Sequence, residues 1–234
     1  MTGEKKVPTA TSGAEVAAFL EKVARTPVVR AAGECGRLIF AMDATASREP
    51  TWDRASHIQA EMFNETAALG GLEIQLVYYR GFGECRASPW VGNAGDLLRR
   101  MTAVTCLAGQ TQIGKILKHA AKEAKARKVA ALVFVGDCVE EDADRLGHLA
   151  GQLGLLGVPC FMFHEGGDPV ARNVFQQIAR LSGGAFCPFD ASSAQQLRDL
   201  LSAVAVYAAG GRKALADYGR RKGGIVHQLT HQVK

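Results

Sequence analysis

No apolar run in this sequence approaches the ~20 residues that a bilayer-spanning helix needs, so no transmembrane segment is expected. The first ten residues, Met1 to Ala10, carry charge but lack the apolar core of a secretory signal. Cysteine occurs six times, at 35, 85, 106, 138, 160 and 187, yet never as a C-x-x-C pair. Scattered singly through mostly apolar segments, these residues read as free thiols of a reducing compartment, which points to the cytoplasm. Aromatic residues and prolines are few, no internal repeat is visible, and the serine-hydrolase elbow G-x-S-x-G is absent. The body also lacks net charge. From Arg212 onward six lysines and arginines face Asp217 alone, a surplus of +5 that equals the net charge of the entire chain. Residues 1–211 therefore balance to zero, which argues against a domain that coats nucleic acid.

What is present is a chain of 234 residues with an apolar fraction of 47%, enough to bury one sizeable core with tails. After a polar start, Ala14 to Arg25 shows helical spacing of Val16, Phe19, Leu20 and Val23. Leu38-Ile39-Phe40-Ala41-Met42 is a short continuous apolar run, the pattern of a strand covered on both faces. A helix is expected over Pro50 to Leu69, a strand over Leu72 to Tyr79, and a tight turn at Arg80-Gly81-Phe82-Gly83 into Glu84 to Ala87. So short a link forbids a crossover, so this third strand must be antiparallel and lie at an edge. Helices follow over Asp96 to Thr105 and Ile113 to Arg127, the latter with lysines along its polar side. Val129 to Val135 is another buried strand, after which Glu140-Glu141-Asp142 place acids in the first turn of a helix. Strands over Val158 to Phe163 and Gly184 to Phe189 alternate with helices over Pro169 to Leu181 and Ala194 to Ala208, and Gly210-Gly211 closes the domain. The fold class is α/β: a doubly wound, mostly parallel six-stranded sheet with one antiparallel edge strand and helices on both faces. The expected organisation is an N-terminal tail and helix over 1–35, one domain over 36–208, and a basic tail over 209–234.

In a doubly wound sheet, loops leaving the two central strands diverge and open a crevice at their carboxyl ends. Asp43 ends the first strand and Asp137 the fourth, so both are aimed at that crevice. Thr45 and Ser47 follow Asp43, and the loop Gly109-Gln110-Thr111 presents Thr111 beside them. Two carboxylates and three hydroxyls, with no nitrogen or sulfur donor, suit a hard divalent cation. So few protein oxygens leave an octahedral ion an open position, ready for an acid from another molecule.

The segments Asp43-x-Thr45-x-Ser47, Gly109-Gln110-Thr111 and Val135-Gly136-Asp137 resemble the three parts of the metal-ion-dependent adhesion site of von Willebrand factor type A domains. The resemblance covers residues 36–208 and includes the order of strands and helices. It implies a Rossmann-like fold, Mg²⁺ or Mn²⁺ ligated by Asp43, Thr45, Ser47, Thr111 and Asp137, and a partner protein that supplies an Asp or Glu. It also implies a binding module and not an enzyme. Thr45 stands where the family more often has serine, keeping the hydroxyl and adding a methyl. Cys138 replaces the usual glycine after the third-motif aspartate.

Other readings compete. Gly109 to Lys115 fits the phosphate-binding G-x-x-x-x-G-K, but Ile116 follows where a magnesium-binding Ser or Thr belongs. A phosphoryl-transfer aspartate at Asp43 would want an acid where Thr45 stands. Cys138 with His164 offers a nucleophile and a base, though a loop thiol and a neighbouring imidazole is the plainer reading. His227 and His231 have the spacing of two ligands on one helix face, but Gln228 occupies the place of a zinc protease's Glu. The lysines between Lys115 and Lys128 read as a solvated helix face, with nucleic acid or another acidic partner as the alternative. Trp52 and Arg48 are candidates for partner contact, and packing of Trp52 against its own helix is the rival. The tail mixes Arg220-Arg221-Lys222 with Ile225, Val226, Leu229 and Val233. It reads equally as a segment that folds on a partner and as a solvated extension.

Overall fold

The computed structural model describes residues 18, 21, 22, 35–48, 52, 62, 64, 71–189 and 194–222. Six strands form one sheet: β1 (Gly36–Asp43), β2 (Leu72–Arg80), β3 (Glu84–Ala87), β4 (Ala131–Gly136), β5 (Cys160–Glu165) and β6 (Ala185–Phe189). Their order across the sheet is β3-β2-β1-β4-β5-β6. All neighbours run parallel except β2 and β3, so the short link at Gly81 to Gly83 sets an antiparallel edge as expected.

Every residue of β1 is buried, because helices cover both faces of the sheet. Leu38, Phe40 and Met42 point to one face, into a cluster with Ile74, Leu76, Val133, Val135, Phe161 and Tyr207. Ile39 and Ala41 point to the other, with Val77, Tyr79, Leu132, Phe134 and Phe175. Full burial of each large side chain contributes about 1.5–3 kcal/mol against leaving it in water, so this double layer holds the sheet. The helices are α1 (Ala94–Thr102), α2 (Ile113–Ala126), α3 (Ala143–Leu155), α4 (Pro169–Ser182) and α5 (Ala194–Lys222). α1 begins two residues before its expected start, since Asn93 caps it by accepting from the Asp96 N–H at 2.9 Å. The expected helices over 14–25 and 50–69 lie mostly outside the described residues. Ala18, Glu21, Lys22, Trp52, Met62 and Asn64 are helical.

One expectation is corrected here. The last helix does not stop at Ala208 but continues to Lys222 through a kink at Gly211, whose φ of 71° and ψ of −165° are not helical. Beyond the kink, Ala214, Leu215 and Tyr218 bury themselves in the same cluster as Leu38 and Phe40. Burial of these apolar side chains makes residues up to 222 part of the folded body. The rest of the expected tail, with His227 and His231, lies outside the described residues.

Candidate metal centre

The strand order reverses between β1 and β4, so the two central strands deliver their carboxyl ends side by side. Met42 pairs with Val135, which sets Asp43 level with Gly136 and brings Asp137 to the same rim. Asp43 has no exposed surface. Its Oδ1 accepts from the Thr45 N–H at 2.7 Å, folding the chain into the single 3₁₀ turn Ala46–Arg48. That turn carries Ser47 across to β4, where its hydroxyl donates to Asp137 Oδ2 at 3.0 Å. The Thr45 and Ser47 hydroxyl oxygens lie 3.5 Å apart. Asp43, Thr45, Ser47 and Asp137, 94 residues from first to last in sequence, thus form one contiguous group.

Thr111 is buried on the neighbouring loop and is held by a reciprocal pair of bonds with Glu140. The Thr111 N–H donates to the Glu140 carboxylate, and the Glu140 N–H donates to the Thr111 hydroxyl, both at 2.9 Å. Thr111 reaches the third loop through Glu140. The loop itself is pressed against the β2–β3 turn. A Cβ on Gly109 would meet the Gly81 carbonyl oxygen at 2.1 Å, so only glycine permits this approach.

Of the acids at 140–142, only Asp142 serves the helix expected. Asp142 is the N-cap of α3, but Glu141 reaches back to the start of α2, accepting from the Ile113 N–H and from the Gly114 N–H at 2.9 Å. α2 needs this because Gln112, at its N-cap, makes no side-chain cap bond. Glu140 and Glu141 escaped the sequence reading as site residues. The uncapped start of α2 was the available signal.

The electrostatics oppose an empty pair of carboxylates. Burial pushes the Asp43 carboxyl above its ordinary value; the Thr45 bonds pull it down, and the Asp137 charge raises it further. Asp43 Oδ2 is buried with no hydrogen bond of good geometry; its neighbour is the equally buried Tyr79 hydroxyl, itself pushed well above the phenol range by burial and then by the charge and weak hydrogen bond of Asp43. One carboxylate oxygen each from Asp43 and Asp137 and the Cys138 sulfur lie within 4.8 Å of one another. Burial, then Asp137 and Asp43, push the Cys138 thiol up to about 12, so at neutral pH it is a thiol and not a thiolate. A buried oxygen without a hydrogen bond of good geometry, two like charges and adjacent hydroxyls fit a divalent cation of the Mg²⁺ or Mn²⁺ kind.

The rival features resolve differently. His164 is buried, with Nε2 placed to donate to the Asp137 carbonyl oxygen at 3.2 Å, so that nitrogen faces backbone and not the Cys138 thiol. The N–H groups at the start of α2, which a phosphate would need, already donate to Glu141, and Lys115 donates to the Gly83 carbonyl and to Gln112 Oε1, each at 2.7 Å. Trp52 is buried, donates to the Asp43 carbonyl oxygen at 2.8 Å and packs edge-on against Tyr78, so it props the first loop from beneath.

No family sequence model and no curated protein matches this sequence. Solved structures do. The chain is similar to a von Willebrand factor type A protein from Catenulispora acidiphila, with a TM-score of 0.58 and 15% identity over 72% of this chain and 42% of that one. It is similar to the SpRpn10 VWA domain, with a TM-score of 0.56 and 17% identity over 72% of this chain and 94% of that one. The vWF domain of the type V pili tip protein Mfa5 from Porphyromonas gingivalis gives a TM-score of 0.58 at 10% identity, over 74% of this chain and 96% of that one. The chain thus spans less than half of the Catenulispora protein and nearly all of the other two. At these identities the likeness defines the fold, a doubly wound sheet of the von Willebrand factor type A kind. Among the described residues no helix is long and apolar enough to cross a membrane.

Proposed function

We propose that this chain is a protein-binding module whose grip depends on a divalent cation, Mg²⁺ or Mn²⁺. Asp43, Thr45, Ser47, Thr111 and Asp137 hold the ion directly or through water, and an Asp or Glu of a partner protein completes its coordination. The observation that carries the reading is the buried Asp43 Oδ2, without a hydrogen bond of good geometry, beside Asp137 at the point where the strand order reverses. A bound cation supplies the charge that these carboxylates lack and a position open to an outside carboxylate. Around it, Thr45 and Ser47 fix the two carboxylates, Glu140 holds Thr111, and Trp52 fixes the chain at Asp43. The protonated Cys138 thiol and the engaged His164 support a binding role over a catalytic one, and the cytoplasm is the compartment in which six thiols stay reduced.

The test is a calorimetric titration with Mn²⁺ and with Mg²⁺ on the full chain, followed by capture of an acidic partner with and without EDTA. Saturable binding is expected, lost in Asp43→Ala while the circular dichroism spectrum of the fold is kept. Capture that is indifferent to EDTA but falls steeply with salt would instead indicate phosphate contacts through the Lys115–Lys128 face.

A further inference from the structure

The β2–β3 turn beside the metal centre is fastened more heavily than a surface turn requires. Gln110 N–H donates to the Gly81 carbonyl at 3.2 Å, and the Gln112 side-chain amide donates to the Arg80 and Gly81 carbonyls at 3.3 and 3.2 Å. Lys115 Nζ donates to the Gly83 carbonyl, and Arg80 donates to the Thr105 carbonyl at 2.6 Å. All these bonds hold backbone. The one large side chain of the turn, Phe82, is left 82% exposed. Beside it opens a cavity of about 250 Å³ lined by Phe82, Thr111, Gln112, Lys115, Lys118 and Arg145, among other residues. Lys118 and Arg145 are exposed cations on this wall; Lys115 adds a third charge but already donates to Gly83 and Gln112, and Glu141, bonded to the start of α2, contributes the one carboxylate. Thr111 is common to this cavity and to the proposed metal site.

We propose that this cavity is a second anchor for the partner: it seats an acidic peptide segment whose apolar side chain packs on Phe82 while its carboxylates face Lys118 and Arg145. Charge complementarity selects the class of occupant. An aromatic ring carried on a fixed backbone beside cations is the composition of an interface hot spot, because little backbone freedom is lost when it is covered. The inference deepens the metal-dependent reading, since the partner's acid on the ion and its apolar residue in this cavity would belong to one segment. It therefore restricts partners to sequences in which an apolar residue accompanies acidic ones.

The probes are fluorescein-labelled decapeptides, one alternating Glu with Leu and one of Glu alone, measured by anisotropy against the full chain in Mg²⁺ and in EDTA. The alternating peptide is expected to bind in Mg²⁺ and to weaken about tenfold in Phe82→Ala, with a similar loss in Lys118→Glu. The all-Glu peptide should lack the Phe82 dependence. Both side chains are exposed, so neither substitution threatens the fold, and an unchanged melting temperature confirms that. Wild-type affinity in both variants would overturn the second anchor and leave the metal reading intact. Binding that persists in EDTA yet still needs Phe82 would support the anchor and overturn the metal reading. Absence of peptide binding in either condition, or displacement of the peptide by a single-stranded oligonucleotide, would overturn the proposal.

Discussion

Asp43 carries a charge that its surroundings oppose. Its carboxyl lies at the end of a fully buried strand, within 4.8 Å of Asp137 and Cys138, and burial raises it above 3.8. A carboxyl raised in the folded state makes the ionised protein less stable, and the loss is recovered as the pH falls through that raised value towards 3.8. The metal-free protein should therefore melt below Asp43→Asn at pH 7, and the difference should close on acidification. Saturating Mn²⁺ should close it at pH 7 from the other side by stabilising the wild type alone. Calorimetric melting curves of both proteins, with EDTA and with Mn²⁺, measure each part. Asp43 and Asp137 were legible as site residues because each follows an uninterrupted apolar run. Cys138 was legible as a departure from the family pattern and as one half of a pair with His164; its approach to both carboxylates is a contact in space that the sequence did not show.

At the scale of the element, α2 stands out because the charge at its start comes from elsewhere. Gln112 caps nothing, and Glu141 supplies the acceptor from a loop 27 residues further on. A helix start with free N–H groups attracts a carboxylate, and a half-buried one holds it well. Glu141→Ala should cost about 1 kcal/mol of stability and expose the Ile113 and Gly114 amides to hydrogen exchange, read by urea denaturation and by exchange rates. The neighbouring Glu140→Ala removes the acceptor of the Thr111 N–H but keeps the backbone N–H that holds the Thr111 hydroxyl. It should cost about 1 kcal/mol of stability and weaken Mn²⁺ binding only modestly, read by urea denaturation and by titration. Local caps such as Asn93 and Asp168 join donors and acceptors that are near neighbours in sequence, although the expected helix start at Asp96 missed Asn93. The Glu141 bond was not open to sequence reading, because nothing local tells which helix an acid between two helices will serve.

For the whole molecule, the decisive feature is how far the last helix reaches. Gly211 reads as a stop, yet its positive φ only bends α5, and Leu215 and Tyr218, 4% and 2% exposed, close the core over one face of the sheet. Removing residues 212–234 should cost about 3 kcal/mol or more, the lower end of what two large buried side chains contribute, and would show as a lower midpoint in urea. The metal affinity of the truncated protein should change little, because the bonds that arrange Asp43, Thr45, Ser47, Thr111 and Asp137 come from residues 43–140.

The sequence by itself determined the architecture and pointed to the principal oxygens of the candidate site. Strands covered on both faces must be continuously apolar, a three-residue link between strands must reverse direction, and an aspartate after such a strand must emerge at its end. Tertiary structure alone decided that Glu140 and Glu141 clamp the loop of Thr111 and α2, that residues beyond Gly211 return to the core, and that Phe82 stands exposed over a cationic cavity. The physical reason is common to all three. Burial and periodicity leave a trace along the chain, whereas a bond between loops depends on distances in space that sequence separation does not encode.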